Sequence, residues 1–239
     1  MENYLKLFRT SADYEAATDK PPVSHIVEDV DVKVKPIDPY CGHEYVEIGG
    51  LKWATMNIGA NSVTDYGQYF QWGDTQGYTA SQIGSGSGKK YFYWNDYKFG
   101  GDAGTAPSKY NNTDGKTVLD AEDDAAVANW GCAWRMPTAN DFLNLSGAVN
   151  TTWVTNYNGT GVAGLICTSK NDSSVQLFFP AGGICDRGSI NSVNGWARCW
   201  TSSLSFTGSG IDAMFGKPYN EWGINTWVCY GANIRPVAQ

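Results

Sequence analysis

No run of about 18 apolar residues occurs anywhere in this 239-residue chain, so no segment has the length and character of a membrane-crossing helix. Basic residues are scarce. The 17 lysines and arginines are outnumbered by 24 acids, the net charge is −7 and the sequence pI is about 4.8. A polyanionic partner would want a basic patch, so nucleic acid and anionic membrane surfaces are excluded as partners. There are only two histidines, His25 and His43. The cysteines, at 41, 132, 167, 185, 199 and 229, form no C-x-x-C pair and share no zinc-ligand spacing with them. No metal, no cofactor and no catalytic residue is therefore expected. In a chain this long with spacing this loose, free thiols are the expected state of all six. The opening MENYLKLFRTSADYEAA has neither an apolar core nor a small-residue cleavage site, so it does not read as a signal peptide. On that reading the chain stays inside the cell, leaves on a particle, or has been trimmed. Helical periodicity is also in short supply, and the few places where it survives stand out.

What is abundant is aromatic and glycine: 10 Trp, 14 Tyr, 9 Phe and 28 Gly. They concentrate towards the end. Ala181 to Gln239 holds Trp196, Trp200, Trp222 and Trp227, with Phe206, Phe215, Tyr219 and Tyr230 between them, and Gly, Ser and Asn fill the gaps. Glycines at 183, 188, 195, 208, 210, 216, 223 and 231 break every helical run, which leaves short strands joined by turns. So aromatic a segment is not disordered. For any single ring, β-sheet core is as good an account as any other. Taken together, Trp, Tyr, Ser, Gly and Asn on a rigid surface are the composition of a binding face.

Residues 1–40 read as a separate extension. YLKLF alternates as a short strand, and Ser11 to Ala17 is a brief helix capped by Thr10 and stopped by Pro21-Pro22. VSHIVEDVDVKVKP alternates again before Pro36 and Pro39. The segment is too small for its own core. It is expected to dock on the main domain, on a neighbouring copy, or on a larger assembly such as a virion.

The main domain, 41–239, opens with a hairpin, Tyr45–Ile48 then Leu51–Thr55, around Gly49-Gly50. Trp94-Asn95-Asp96 is similar to a calcium-ligating triplet of C-type lectins, but no partner motif accompanies it, and a solvated strand end explains it better. Two helices are predicted. The first runs from Leu119 to about Asn129, ends at Gly131 and carries Asp120, Glu122, Asp123 and Asp124 in its first turns. Consecutive acids point in different directions, so dipole complementation accounts for them better than a metal cluster does. The second starts at the capping box Thr138 to Asp141 and runs to about 146. Arg135 is a candidate ion-pair partner for one of the four acids. GLICTSK and SVQLFFPAGG form a hairpin around Asn171-Asp172, and the strand at 235–237 should pair near the domain's start.

The ordered series GLKWATMNIGA, YGQYFQWGD, EDDAAVANWGCAWRMPT, LFFPAGG, WTSS and IRPV resembles the C-type-lectin-fold variable proteins of diversity-generating retroelements from gut bacteria and their phages. The formylglycine-generating-enzyme-like fold is related. The resemblance covers about 42–239. It implies an α+β, C-type lectin-like fold of two helices with short, mostly antiparallel strands and long loops. It also implies a diversified region at about 184–230, a hypervariable receptor-recognition or adhesion function, and display on a phage tail or an extracellular surface. The implied partner is a cell-surface protein or glycan. The alternatives are a formylglycine-generating-type enzyme and a surface or pilus-tip adhesin. Mutating the adenines of AAC codons yields NNC codons, and Ile224-Asn225-Thr226 and Val228-Cys229-Tyr230 are wholly compatible with these. The candidate ligand-binding residues are Arg187, Trp196, Arg198, Cys199, Asp212, Tyr219, Trp222, Ile224, Asn225, Thr226, Val228, Cys229 and Tyr230. All but Trp196 and Trp222 are expected to be largely exposed and on one side, with Trp53, Trp72, Trp130, Trp134 and Trp200 buried as framework.

Overall fold

The computed structural model describes residues 38–102 and 105–239. These belong to the second of the chain's two units, Asp38–Gln239. The strands and helix expected within residues 1–37 lie outside the described residues. The described unit is mixed α+β, mostly strand, with two α-helices and small antiparallel sheets.

Both ends of the unit meet in one sheet. Strands β1 (Tyr45–Ile48) and β2 (Leu51–Ala54) pair antiparallel, and Gly49 and Gly50 turn between them at φ 65 and 80. Two successive positive-φ residues make the turn whose twist suits a hairpin, and glycine adopts them without a Cβ penalty. The last strand, β11 (Val237–Ala238), pairs with β2 through Val237 and Trp53, as expected for the chain's end.

Helix α1 spans Ala125–Trp130 only. It is shorter than expected because Asp124 is its N-cap, accepting from the Ala126 and Val127 amides, while 121–123 form a separate 3-10 turn. Gly131 stops it at φ 62. Helix α2 (Ala139–Ala148) carries the reciprocal capping box of Thr138 and Asp141. Arg135 pairs with Asp141 of this box at 2.7 Å rather than with one of the four earlier acids. Three of those acids are instead held by lysines: Lys109 reaches Asp120, Glu122 and Asp123 at 2.7, 2.8 and 2.6 Å. Ion pairing therefore engages these three, and only Asp124 caps an α-helix.

Three further sheets complete the unit. One has the order β3 (Val149–Val154), β4 (Gly164–Ser169), β5 (Gln176–Pro180). A ribbon pairs β6 (Ile184–Asp186) with β7 (Ser189–Asn191). The last has the order β10 (Asn220–Trp227), β9 (Ser209–Gly216), β8 (Trp196–Phe206). No helix of more than three turns follows residue 150 among the described residues. Trp53, Trp72, Trp134 and Trp200 are fully buried. Trp130 is only half-buried, stacked on His43 at 3.6 Å. One core cluster gathers Trp53, Phe142, Phe179, Cys199 and Phe215. Another gathers Phe70, Trp72, Trp200, Val228 and Cys229.

The thiol expectation is corrected at one pair. Cys41 and Cys132, 91 residues apart in sequence, form a disulfide, and the other four cysteines are free and buried. Ala133 and Trp134 bond back to the carbonyls of Pro39 and Tyr40. The disulfide and these bonds together fasten the start of the unit to the segment after α1.

Candidate binding face

The stretch 184–230 becomes β6 to β10, and its strands divide the candidate residues. β9 is the middle strand of its sheet and is covered on both sides. On one side Ala213 and Phe215, with Ala197 and Cys199 of β8, pack on Trp53 and Phe142. On the other, Gly210 lies so close to the Trp72 indole that a Cβ there would come within 2.8 Å of it. Asp212, on this second side, has no solvent exposure. Its carboxylate accepts from Arg198 Nε at 2.5 Å and Nη2 at 3.2 Å, and Nη2 also donates to Thr226 Oγ1 at 2.6 Å. Burial raises the Asp212 carboxyl above the usual range, against the pull of Arg198.

Five of the candidates expected at the surface are therefore interior: Cys199, Asp212, Thr226, Val228 and Cys229. The correction has three physical causes, the first being that Cys199 faces the Trp53 and Phe142 core from β8. Asp212 and Thr226 are polar but satisfied by Arg198 across the ladder, so burial costs them little. Val228 and Cys229 follow the end of β10 and turn into the Trp72 and Trp200 core.

Arg187, Tyr219 and Asn225 are exposed, while Trp196, Arg198, Trp222, Ile224 and Tyr230 are half-buried. The exposed and half-buried candidates are carried by different elements, Trp196 and Arg198 by β8. Tyr219 follows Pro218 in the β9–β10 connection. Trp222, Ile224 and Asn225 lie on β10, an outer strand of its sheet. Arg187 occupies the β6–β7 turn.

The Arg187 turn is the most elaborately built of these places. Its backbone is at φ 46, a region that side chains other than glycine's rarely enter. It rests on a second such residue, Phe92 at φ 58, through an amide-to-carbonyl bond. The neighbouring Gly188 amide donates to Tyr91 O at 2.5 Å, and a Cβ on Gly188 would strike the Gly84 backbone at 2.7 Å. The guanidinium lies 4.3 Å from the Tyr93 ring centre and pairs with Asp186 at 3.0 Å. Tyr230 is near enough for its hydroxyl and this guanidinium to influence each other's titration. Beside them is a polar cleft of about 410 Å³ lined by Gly84, Ser85, Gly86, Lys89, Tyr91 and Asn95. Tyr93 and Asn95 were not among the sequence candidates. The signal that could have found them is the dense run YFYWNDY at 91–97 behind a Gly/Ser loop.

Two groups that could be taken for metal sites are otherwise engaged. The Asp120, Glu122 and Asp123 oxygens lie within 4.8 Å of one another, but the Lys109 ammonium already stands among them. The Asp96 carboxylate of the Trp94-Asn95-Asp96 triplet accepts from the Tyr91, Phe92 and Tyr93 amides at 2.8, 3.1 and 2.9 Å. It shapes the segment that carries Tyr93. Burial pushes the thiols of Cys199 and Cys229 up to about 12, and that of Cys185 up as well, so all three are held protonated and poorly nucleophilic. No helix among the described residues is long and apolar enough to cross a membrane. No family model, curated protein or solved structure matches the chain.

Proposed function

We propose that this chain is a ligand-binding protein of the C-type-lectin-fold variable type, presenting a diversified C-terminal surface to a cell-surface partner from a phage particle or an extracellular location. The observation that carries the reading is Arg187. An exposed guanidinium, stacked on Tyr93, is held out on a backbone conformation that only a tightly determined surrounding maintains. Arg and Tyr are the residue types that most often dominate binding energy. The pairing of the described unit's two ends, two short helices and small antiparallel sheets suit the lectin-like fold that the sequence resemblance implies. The Cys41–Cys132 disulfide suits a protein that works outside a reducing cytosol. Protonated, buried thiols at 185, 199 and 229 make the formylglycine-generating alternative the weaker reading.

Two measurements test it. Sequencing the DNA beside the gene should find a reverse transcriptase and a near-copy of the gene's 3′ end. Adenine-directed differences between copies should then fall on exposed codons such as 187, 219 and 225 and spare 199, 212, 228 and 229. Labelled protein should bind intact cells of some bacterial isolates, with Arg187→Ala and Tyr93→Ala losing tenfold or more in affinity. Differences spread evenly over buried and exposed codons would reject the reading, as would cell binding indifferent to both substitutions.

A further inference from the structure

Strand β10 has one partner, β9, and among the described residues its other edge meets backbone only at its end, where the Tyr230 amide donates to Trp227 O at 3.0 Å. The far side of the same sheet is different. The outer edge of β8 is taken up by bonds with Pro137, Thr117, Leu119 and Asn233.

The direction of each β10 group follows from the register. Asn225 faces Ile211, Thr226 faces Gly210, and the ladder continues to Val228, whose amide donates to Gly208 O at 3.2 Å. In an antiparallel pair, residues that exchange bonds alternate with residues that do not. Val228, Thr226 and Ile224 therefore turn their backbone groups inward to β9, and Asn225 turns both its N–H and its C=O outward. Beyond the irregularity between Glu221 and Ile224, the same count from the Gly216 amide to Tyr219 O turns Asn220 outward and Glu221 inward.

Beside this edge is a cleft of about 390 Å³ between α2 and the sheet, lined by Ala139, Leu143, Ile211, Trp222 and Gly223 with Asn220 and Glu221 at its rim. Leu143 is 54% exposed there. The Asn220 Oδ1 acceptor is buried without a partner.

We propose that the ligand engages this edge as an extended peptide, adding a strand beside β10 with one apolar side chain in the Leu143–Trp222 cleft and a basic residue opposite Glu221. The inference rests on the binding reading above and narrows its partner to a protein segment. Outward N–H and C=O groups on an unpaired strand edge are complemented by another extended backbone, and main-chain bonds supply affinity while side chains supply specificity. That division suits a diversified strand. Changing Asn225 or Ile224 leaves the backbone groups where they are, so variants keep the docking mode and change only the preferred sequence.

The test uses the full chain and a phage-displayed library of random linear twelve-residue peptides as the probe. Peptides selected on the wild type should lose less on Asn225→Ala, which alters the side chain and keeps the outward N–H, than on the proline variant. They should lose tenfold or more on Asn225→Pro, which deletes an outward N–H and leaves every β9 bond in place. N-methylation along a selected peptide should abolish binding at alternate residues. Failure to select any peptide sensitive to Asn225→Pro overturns the proposal, as does an N-methyl scan without a period of two. A glycan bound equally by wild type and Asn225→Pro on an array would also overturn it. So would a wild-type dimer in light scattering that Asn225→Pro makes monomeric, since the edge would then belong to a second copy. Cell binding that depends on Arg187 but ignores Asn225→Pro would sink this inference and leave the binding reading standing.

Discussion

Asp212 and Asn225 belong to neighbouring, hydrogen-bonded strands, and both are short polar residues. One has no solvent exposure and the other is exposed. The difference lies in sheet position. Asp212 is on the middle strand, with a core on each face; Asn225 is on the outer strand. Burial of Asp212 is tolerable only because Arg198 meets it with two hydrogen bonds. A polar residue in this stretch is thus no sign of surface, and the same fifty residues supply both core and exposed surface.

The sharpest way to break that comparison is to remove the acid. Asp212→Ala leaves the Arg198 guanidinium, whose side chain is only 11% exposed, without its partner. Breaking one side of a buried ion pair costs about 3–5 kcal/mol, and urea denaturation should show a loss of that size. Arg198→Ala should be similarly damaging, where a surface reading of Arg198 predicts almost nothing. A loss under about 1 kcal/mol, within reach of an ordinary surface change, would mean that the pair is incidental.

Proline scanning asks the same question of the backbone. Thr226 uses its N–H in the ladder and Asn225 does not. Thr226→Pro should cost about 1–3 kcal/mol by deleting an inward bond and leaving its β9 acceptor unpaired, while Asn225→Pro stays within about 1 kcal/mol, as edge positions tolerate proline. Equal losses would show that the register assigned to β10 is wrong.

Acid titration separates the two kinds of buried carboxyl by sign. Asp141 is pushed up by burial, but its bonds to Arg135 and Thr138 outweigh this and hold it below the usual range. A depressed folded value contributes stability that is complete above the unfolded value of about 3.9 and is lost as pH falls through the folded one. Asp212 is raised, so the fold binds its proton more tightly than the unfolded chain does, and its stabilisation fades as pH rises. Melting curves between pH 2 and 6 should therefore show acid sensitivity reduced by Asp141→Asn and not reduced by Asp212→Asn.

Much of the framework was legible because its signals are local. Gly49-Gly50 fixes a hairpin turn, Thr138 and Asp141 fix a helix start, and Gly131 fixes a helix stop. The site was only half legible because its causes are not local. Codon compatibility marks Val228 and Cys229 as variable but carries no information on which way the chain turns after β10. Nothing in the spacing of Cys41 and Cys132 announces their bond across 91 residues. Arg198 and Asp212 look solvent-seeking one at a time and become interior only as a pair, and pairing depends on a register 14 residues apart. Tyr93 belongs to a segment that reads as an aromatic strand. Its role beside Arg187 follows from the packing of the β6–β7 turn onto it.

The smallest effect concerns Arg187 itself. Its side chain is 51% exposed and its ion pair with Asp186 joins adjacent residues, so truncation to alanine removes little packing, and an exposed pair contributes little. Its backbone is another matter. At φ 46 any residue with a Cβ carries a penalty of roughly 1–2 kcal/mol that glycine does not, partly offset by glycine's greater freedom in the unfolded chain. Arg187→Gly should therefore be the more stable of the two variants by about 0.5–1 kcal/mol, with both close to the wild type and both defective in cell binding. That ordering would show that the strain belongs to the turn and is maintained by its nesting on Gly84 and Phe92, with the guanidinium free to serve the ligand. If alanine proves the more stable, the turn relaxes out of the positive-φ region when the arginine is gone. Its conformation would then be held by the Tyr93 and Asp186 contacts, and Arg187 would be part of the scaffold as well as of the face.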